Sequence, residues 1–104
     1  MFDFLKRSDI NDGFEEYKNT EGAILFDVRT PEEYAQGHIP GSINVPLQTI
    51  ELVDEVVPDL SGSLFVYCHS GARSAQAAAM LKQMGYTNVK NIGGIAAYRG
   101  KVER

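Results

Sequence analysis

The chain has 104 residues, 43% of them hydrophobic and 23% charged, which is enough for one globular domain with its own core and unlike a disordered protein. Its single cysteine, Cys68, excludes an internal disulfide and leaves no cysteine cluster for zinc. We see no apolar run long enough for a signal peptide or a membrane span, and so we expect a cytoplasmic protein without a membrane anchor.

The net charge of −4 is distributed unevenly along the chain. Residues 1–68 carry 4 Lys or Arg and 13 Asp or Glu, whereas residues 69–104 carry 6 Lys or Arg and 1 Glu. A basic segment directly after the cysteine favours a small anionic substrate, although a chance partition of surface charge would give the same count. The acidity of the whole chain argues against nucleic acid as a partner.

The predicted elements alternate between helices and strands. The first half is predicted to contain a helix over 9–19, a buried strand over 23–28, a helix from a Thr30 cap to a stop at Gly37, and a short strand over 42–46. A helix that ends before Pro58 and a buried strand over 63–68 follow. The last part is predicted to contain a helix that ends at Gly85, a strand over 88–92 and a final helical turn. This alternation predicts an α/β fold, with a parallel sheet covered by helices on both faces.

The clearest candidate site is the segment "VYCHSGARS" (66–74), where Cys68 ends a buried strand just before a helix. Parallel sheets bind ligands at such strand ends, and the start of a helix favours both an anion and a thiolate. Gly71 gives the loop the conformational freedom of a tight turn, and Arg73 adds a fixed positive charge. The alternative is that Cys68 is a small apolar residue of the core.

Three ordered motifs resemble those of the rhodanese family of sulfurtransferases. "CHSGAR" (68–73) is similar to the active loop, "DVRTPEEYAQGHIPGSINVP" (27–46) to the first signature, and "NIGGIAAY" (91–98) to the closing Gly-Gly motif, with Tyr98 where Trp is usual. The resemblance covers about residues 8–100 and implies a single domain, 1–104. It also implies a five-stranded parallel sheet flanked by helices on both faces, the fifth strand being a short one near the N-terminus.

The resemblance implies a two-step sulfur transfer through a persulfide on the catalytic residue Cys68. The donor would be a small anion such as thiosulfate, and the acceptor a thiol, cyanide or a thioredoxin-like protein. The substrate-binding residues would be those of the loop, namely His69, Ser70, Gly71, Ala72 and Arg73. We expect no metal or cofactor, no nucleic-acid or membrane partner, and a monomer or weak dimer.

Two other functions stay open. A cysteine-based phosphatase or arsenate reductase is disfavoured. The phosphatases related to the rhodanese family use Cys-x5-Arg, whereas this chain has Cys-x4-Arg. The shorter spacing makes a narrower loop. A module that carries persulfide to a partner, or only docks to one, has the same motifs as an enzyme.

Several side chains around the loop have two interpretations. We expect Asp27 and Arg29 to brace loops, and His38 to be structural. Glu33 either faces the cysteine loop or is a solvated helix acid. His69 is interpreted as lining the loop without transferring a proton.

For the two residues at the start of the following helix, we favour one interpretation each. We expect Arg73 to face the pocket rather than brace the loop. For Ser74, a helix cap is the default over a hydrogen bond to sulfur.

Overall fold

The computed structural model describes residues 9–104. Its α-helices are α1 (Ile10–Lys18), α2 (Pro31–Gln36), α3 (Val53–Val56) and α4 (Ala72–Gln83). Its strands are β1 (Ile24–Asp27), β2 (Ile43–Asn44), β3 (Ser63–Cys68) and β4 (Asn88–Gly94). Two 3₁₀ segments, Leu47–Leu52 and Ile95–Ala97, complete the regular structure. The predicted alternation of helices and strands is therefore confirmed.

The strands form one parallel sheet in the order β2-β1-β3-β4. The sheet thus has four strands within residues 9–104, and the expectation of five is wrong for this part of the chain. Asp9 accepts a hydrogen bond from the Asn11 backbone N–H and caps α1, and α1 is the one regular element between residues 9 and 23. Our expectation of a short strand near the N-terminus also concerns residues that lie outside the described part of the chain.

Helices cover both faces of the sheet, as predicted. Alternate residues of a strand point to opposite faces, and the buried residues divide accordingly into two clusters. One cluster contains Phe26, Val66 and Cys68 and packs against α4. The other contains Leu25 and Tyr67 and packs against α1. Cys68 therefore lies on the α4 face of the sheet.

Local signals set most helix ends where the sequence placed them. Thr30 and Glu33 form a reciprocal capping box at the start of α2, and Gly37 follows its last turn. The helix predicted to end before Pro58 is α3, which ends at Val56. The 3₁₀ segment that precedes it is interrupted at Thr49, whose backbone is not helical. Within residues 9–104, no helix is both long enough and apolar enough to cross a bilayer.

Candidate active site

Cys68 is the last residue of β3 and lies under the loop that leads into α4. It is 0% exposed, whereas its neighbours His69 and Ser70 are exposed. Burial alone fits both interpretations of this residue, a core cysteine and a nucleophile. The hydrogen bonds to its sulfur distinguish between them.

The Cys68 sulfur accepts hydrogen bonds from the loop and from the first turn of α4. The backbone N–H of Gly71 lies 3.0 Å from Sγ, and the hydroxyl of Ser74 lies 3.5 Å from it. Burial by itself would raise the pKa of the Cys68 thiol. The Ser74 hydroxyl and the backbone N–H groups of Ser74, Gly71 and Ser70 outweigh that effect and lower the pKa. An apolar core position would not supply these donors, and so the site favours a thiolate.

Ser74 does not cap α4, contrary to our default interpretation. The N-cap is Gly71, which has a φ of 104° that suits glycine and no side chain with which to cap the helix. Ser74 is fully buried in the first turn of α4. Its hydroxyl lies 2.7 Å from Asn91 Oδ1, 3.1 Å from the Gly71 carbonyl oxygen and 3.5 Å from the sulfur, and its one proton donates to one of these acceptors at a time. It therefore belongs to the sulfur site.

Asn91 of β4 is a site residue that the sequence analysis missed. Its Nδ2 donates to the Gly71 carbonyl at 3.3 Å, and its Oδ1 also accepts the Gly93 backbone N–H at 3.0 Å. The amide thus ties β4 to the cysteine loop and to Ser74. Position 91 lies 23 residues after the cysteine, and only the quoted "NIGGIAAY" motif, within which it falls, could have drawn attention to it.

The Gly-Gly pair of β4 forms the floor of the cysteine loop. The pairing of β3 with β4 shifts by one residue between Val66 and Tyr67, so that Ile92 is an extra residue of the kind found in a β-bulge. Beyond the shift, a Cβ at Gly94 would lie 2.6 Å from Ser70 Cα and would also overlap the His69 carbonyl oxygen. Only glycine leaves room for the loop here.

Arg73, which we expected to face the pocket, forms an ion pair with Glu33 of α2. Nη1 donates to Glu33 Oε1 at 2.7 Å and Nη2 to Oε2 at 3.0 Å. Glu33 is accordingly a partner of the cysteine loop rather than a solvated helix acid. Of the remaining residues that we expected to bind substrate, His69, Ser70 and Gly71 form the loop itself, and Ala72 is the first residue of α4.

The first signature motif braces the loops beside the site, as expected for Asp27 and Arg29. Their side chains form a buried ion pair of 2.6 Å, and Arg29 Nη2 also donates to the Gly37 carbonyl at 2.8 Å. His38 has a structural environment, because its ring stacks on Tyr34 and its Nδ1 lies 2.9 Å from the Tyr34 carbonyl oxygen.

The lowered pKa of Cys68 gives a direct prediction for its reactivity. We expect the rate of alkylation by iodoacetamide to show an inflection below about 8.5, the pKa of an ordinary thiol. In Ser74→Ala the inflection should move to higher pH, because a hydrogen bond to the thiolate is lost. Ser70→Ala is the matched control, since the sulfur receives the backbone N–H of Ser70 and not its hydroxyl. An inflection that is unchanged in Ser74→Ala would contradict this account of the site.

A parallel sheet with a cysteine loop between β3 and α4, closed by a Gly-Gly pair, defines a rhodanese-like domain. The family model described as "Rhodanese-like domain" matches residues 10–101, and the chain belongs to this family.

Named relatives and solved structures agree with this assignment. The chain is 47% identical over 70 residues to the thiosulfate sulfurtransferase PspE of Escherichia coli, covering 66% of this chain and 67% of the relative. It is 34% identical over 95 residues to the human thiosulfate:glutathione sulfurtransferase, covering 79% and 81%. A solved structure described as "rhodanese with anions from E. coli" superimposes with a TM-score of 0.74 at 40% identity, covering 79% of this chain and 98% of that one.

Proposed function

We propose that this chain is a thiosulfate sulfurtransferase that moves sulfur through a persulfide on Cys68. The observation that carries the proposal is the Cys68 sulfur held in a loop of N–H donors at the start of α4. Relatives named as thiosulfate sulfurtransferases support the choice of donor. Of the residues expected to bind substrate, His69, Ser70, Gly71 and Ala72 would contact the donor mainly through the loop backbone.

In the first step, the Cys68 thiolate attacks the outer sulfur of thiosulfate. A sulfur–sulfur bond forms to Cys68, the sulfur–sulfur bond of thiosulfate breaks, and sulfite leaves with its electron pair. The product is a persulfide anion on Cys68. The same backbone N–H groups that favour the thiolate would then stabilise the charge on the terminal sulfur.

In the second step, an acceptor attacks the terminal sulfur of the persulfide. The acceptor takes the terminal sulfur, the sulfur–sulfur bond to Cys68 breaks, and the Cys68 thiolate leaves. Cyanide becomes thiocyanate, and a thiol becomes a persulfide. Because the sequence has a single cysteine, no second cysteine of these 104 residues can take the sulfur. The acceptor therefore lies outside these 104 residues and is a small thiol, cyanide or a thioredoxin-like protein.

The test is intact mass spectrometry of the protein after incubation with thiosulfate. The proposal expects the mass of one added sulfur on Cys68, which disappears when cyanide is added as thiocyanate is released. A protein that gains no sulfur would contradict the persulfide. A persulfide that forms but does not pass to cyanide or to small thiols would favour the alternative function, a module that delivers sulfur to a partner protein.

A further inference from the structure

The Glu33–Arg73 pair lies at the rim of the cysteine loop and joins the first turn of α2 to the first turn of α4. Each of the two side chains is 33% exposed, so that the pair lies between solvent and the loop. Both carboxylate oxygens are used in a bidentate contact, the geometry that gives an arginine–carboxylate pair its strength and its orientation. The pair is therefore a fixed feature of the rim.

Glu33 is held in place and kept ionised from both sides. Its Oε1 also accepts the backbone N–H of Thr30 at 3.0 Å and the Thr30 hydroxyl at 3.2 Å. The hydrogen bond from Arg73, opposed by burial and aided by Thr30, lowers the pKa of Glu33 to about 2. At neutral pH the carboxylate is thus charged and anchored in its capping box.

Arg73 lies close to the reactive sulfur, because it directly precedes Ser74, whose hydroxyl is 3.5 Å from Cys68 Sγ. The hydrogen bond to Glu33 contributes most to the raised pKa of Arg73, and the charge of Cys68 is among the further causes. A free guanidinium at this position would attract an anionic donor towards the sulfur. With Glu33 beside it, the two opposite charges cancel at the rim.

We infer that Glu33 is a specificity-determining residue, which cancels the charge of Arg73 and so limits the preference of the site for strongly anionic sulfur donors. The inference rests on the proposed sulfur transfer and deepens it. A dianion such as thiosulfate gains less at a neutral rim than at a positive one. A monoanionic thiosulfonate, in which the same type of sulfur–sulfur bond breaks and a sulfinate leaves, is correspondingly less disadvantaged.

The first test compares two sulfur donors in Glu33→Gln, in which the amide keeps the shape of the side chain and removes its charge. We expect the kcat/KM ratio of thiosulfate to a monoanionic arenethiosulfonate to rise about 1.5-fold to fivefold, the range that partly exposed ion pairs show. Glu32→Gln is the matched control. It makes the same change of net charge on the same helix, at an exposed residue whose carboxylate is not paired with Arg73 among residues 9–104, and its ratio should stay close to that of the unmodified protein.

The second test does not depend on sulfur transfer. Iodoacetate and iodoacetamide both alkylate the Cys68 thiolate and differ by one negative charge, and the ratio of their rates cancels any change in thiolate fraction. We expect the rate with iodoacetate, divided by the rate with iodoacetamide, to rise in Glu33→Gln and to fall in Arg73→Gln. In the double variant this ratio should return to the value of the unmodified protein. A protein that forms no persulfide but shows this pattern would refute the proposed function and leave the inference intact.

A purely structural pair gives a different pattern. In that case both donors would lose kcat/KM by the same factor, the alkylation ratio would stay constant in all variants, and the melting temperature would fall. Either a constant donor ratio or a constant alkylation ratio in a folded Glu33→Gln protein overturns the inference. Should Glu33→Gln fail to fold, an alkylation ratio that does not fall in Arg73→Gln overturns it instead.

Discussion

Replacing Cys68 by serine should reduce thiosulfate:cyanide transfer to the uncatalysed background, because the hydroxyl cannot form a persulfide. The fold should persist. The Cys68 sulfur has two hydrogen-bond donors beside it, the Gly71 N–H and the Ser74 hydroxyl. A buried serine oxygen at the same place would have the same donors as partners. We therefore expect a loss of stability within about 1.5 kcal/mol, the scale of one hydrogen bond.

Thiocyanate release and thermal unfolding together check this expectation. Cys68→Ala is the useful comparison, because it leaves the Gly71 N–H and the Ser74 hydroxyl without their sulfur partner and should unfold at a lower temperature than Cys68→Ser. Sulfur transfer above background in a folded Cys68→Ser protein would show that Cys68 is not the nucleophile.

Replacing Gly94 by alanine should damage the site without changing any group that reacts. The backbone of Gly94 has a φ of −122°, which alanine adopts freely, so that the effect is steric and not conformational. The added methyl would overlap the backbone of His69 and Ser70, which must then move away from β4. A shift of about 1 Å in a catalytic loop is enough to lower kcat/KM about 100-fold. Overpacking should also cost about 1–3 kcal/mol of stability.

Steady-state kinetics with thiosulfate and cyanide measure the loss in Gly94→Ala. Ala97→Ser is the control, because it adds one atom to an exposed side chain three residues later and should keep its activity. A raised alkylation pKa of Cys68 in Gly94→Ala would show that the loop donors have moved. Unchanged kinetics in this variant would mean that the loop does not depend on the Gly-Gly floor.

The sequence predicts those parts of the site that are local in the chain. Cys68, Gly71 and the start of α4 lie within five residues of one another, and strand and helix signals alone place them together. The capping box of Thr30 is equally local. These features depend on backbone geometry that nearby residues determine.

The contacts that the sequence could not predict join distant elements. Arg73 pairs with a residue 40 positions away, and Asn91 reaches the loop from the neighbouring strand. Whether an arginine faces a pocket or a carboxylate depends on where the fold places α2 relative to α4, which no local pattern encodes. The interpretation of Ser74 as a cap was wrong for a similar reason, because the shortest hydrogen bond of its hydroxyl, 2.7 Å, is to Asn91 of the neighbouring strand.

The floor of the loop also relates activity to the local stability of β4. Within residues 9–104 this strand is at the edge of the sheet and pairs only with β3. Edge strands can open at a lower free energy than is needed to unfold the whole domain. Because β4 supplies both Asn91 and Gly94, such an opening would release the cysteine loop while most of the sheet stays folded. The protein should then lose activity on heating or in denaturant before it loses its secondary structure. Hydrogen exchange in β4 would show how often the loop around Cys68, a residue of β3, is released.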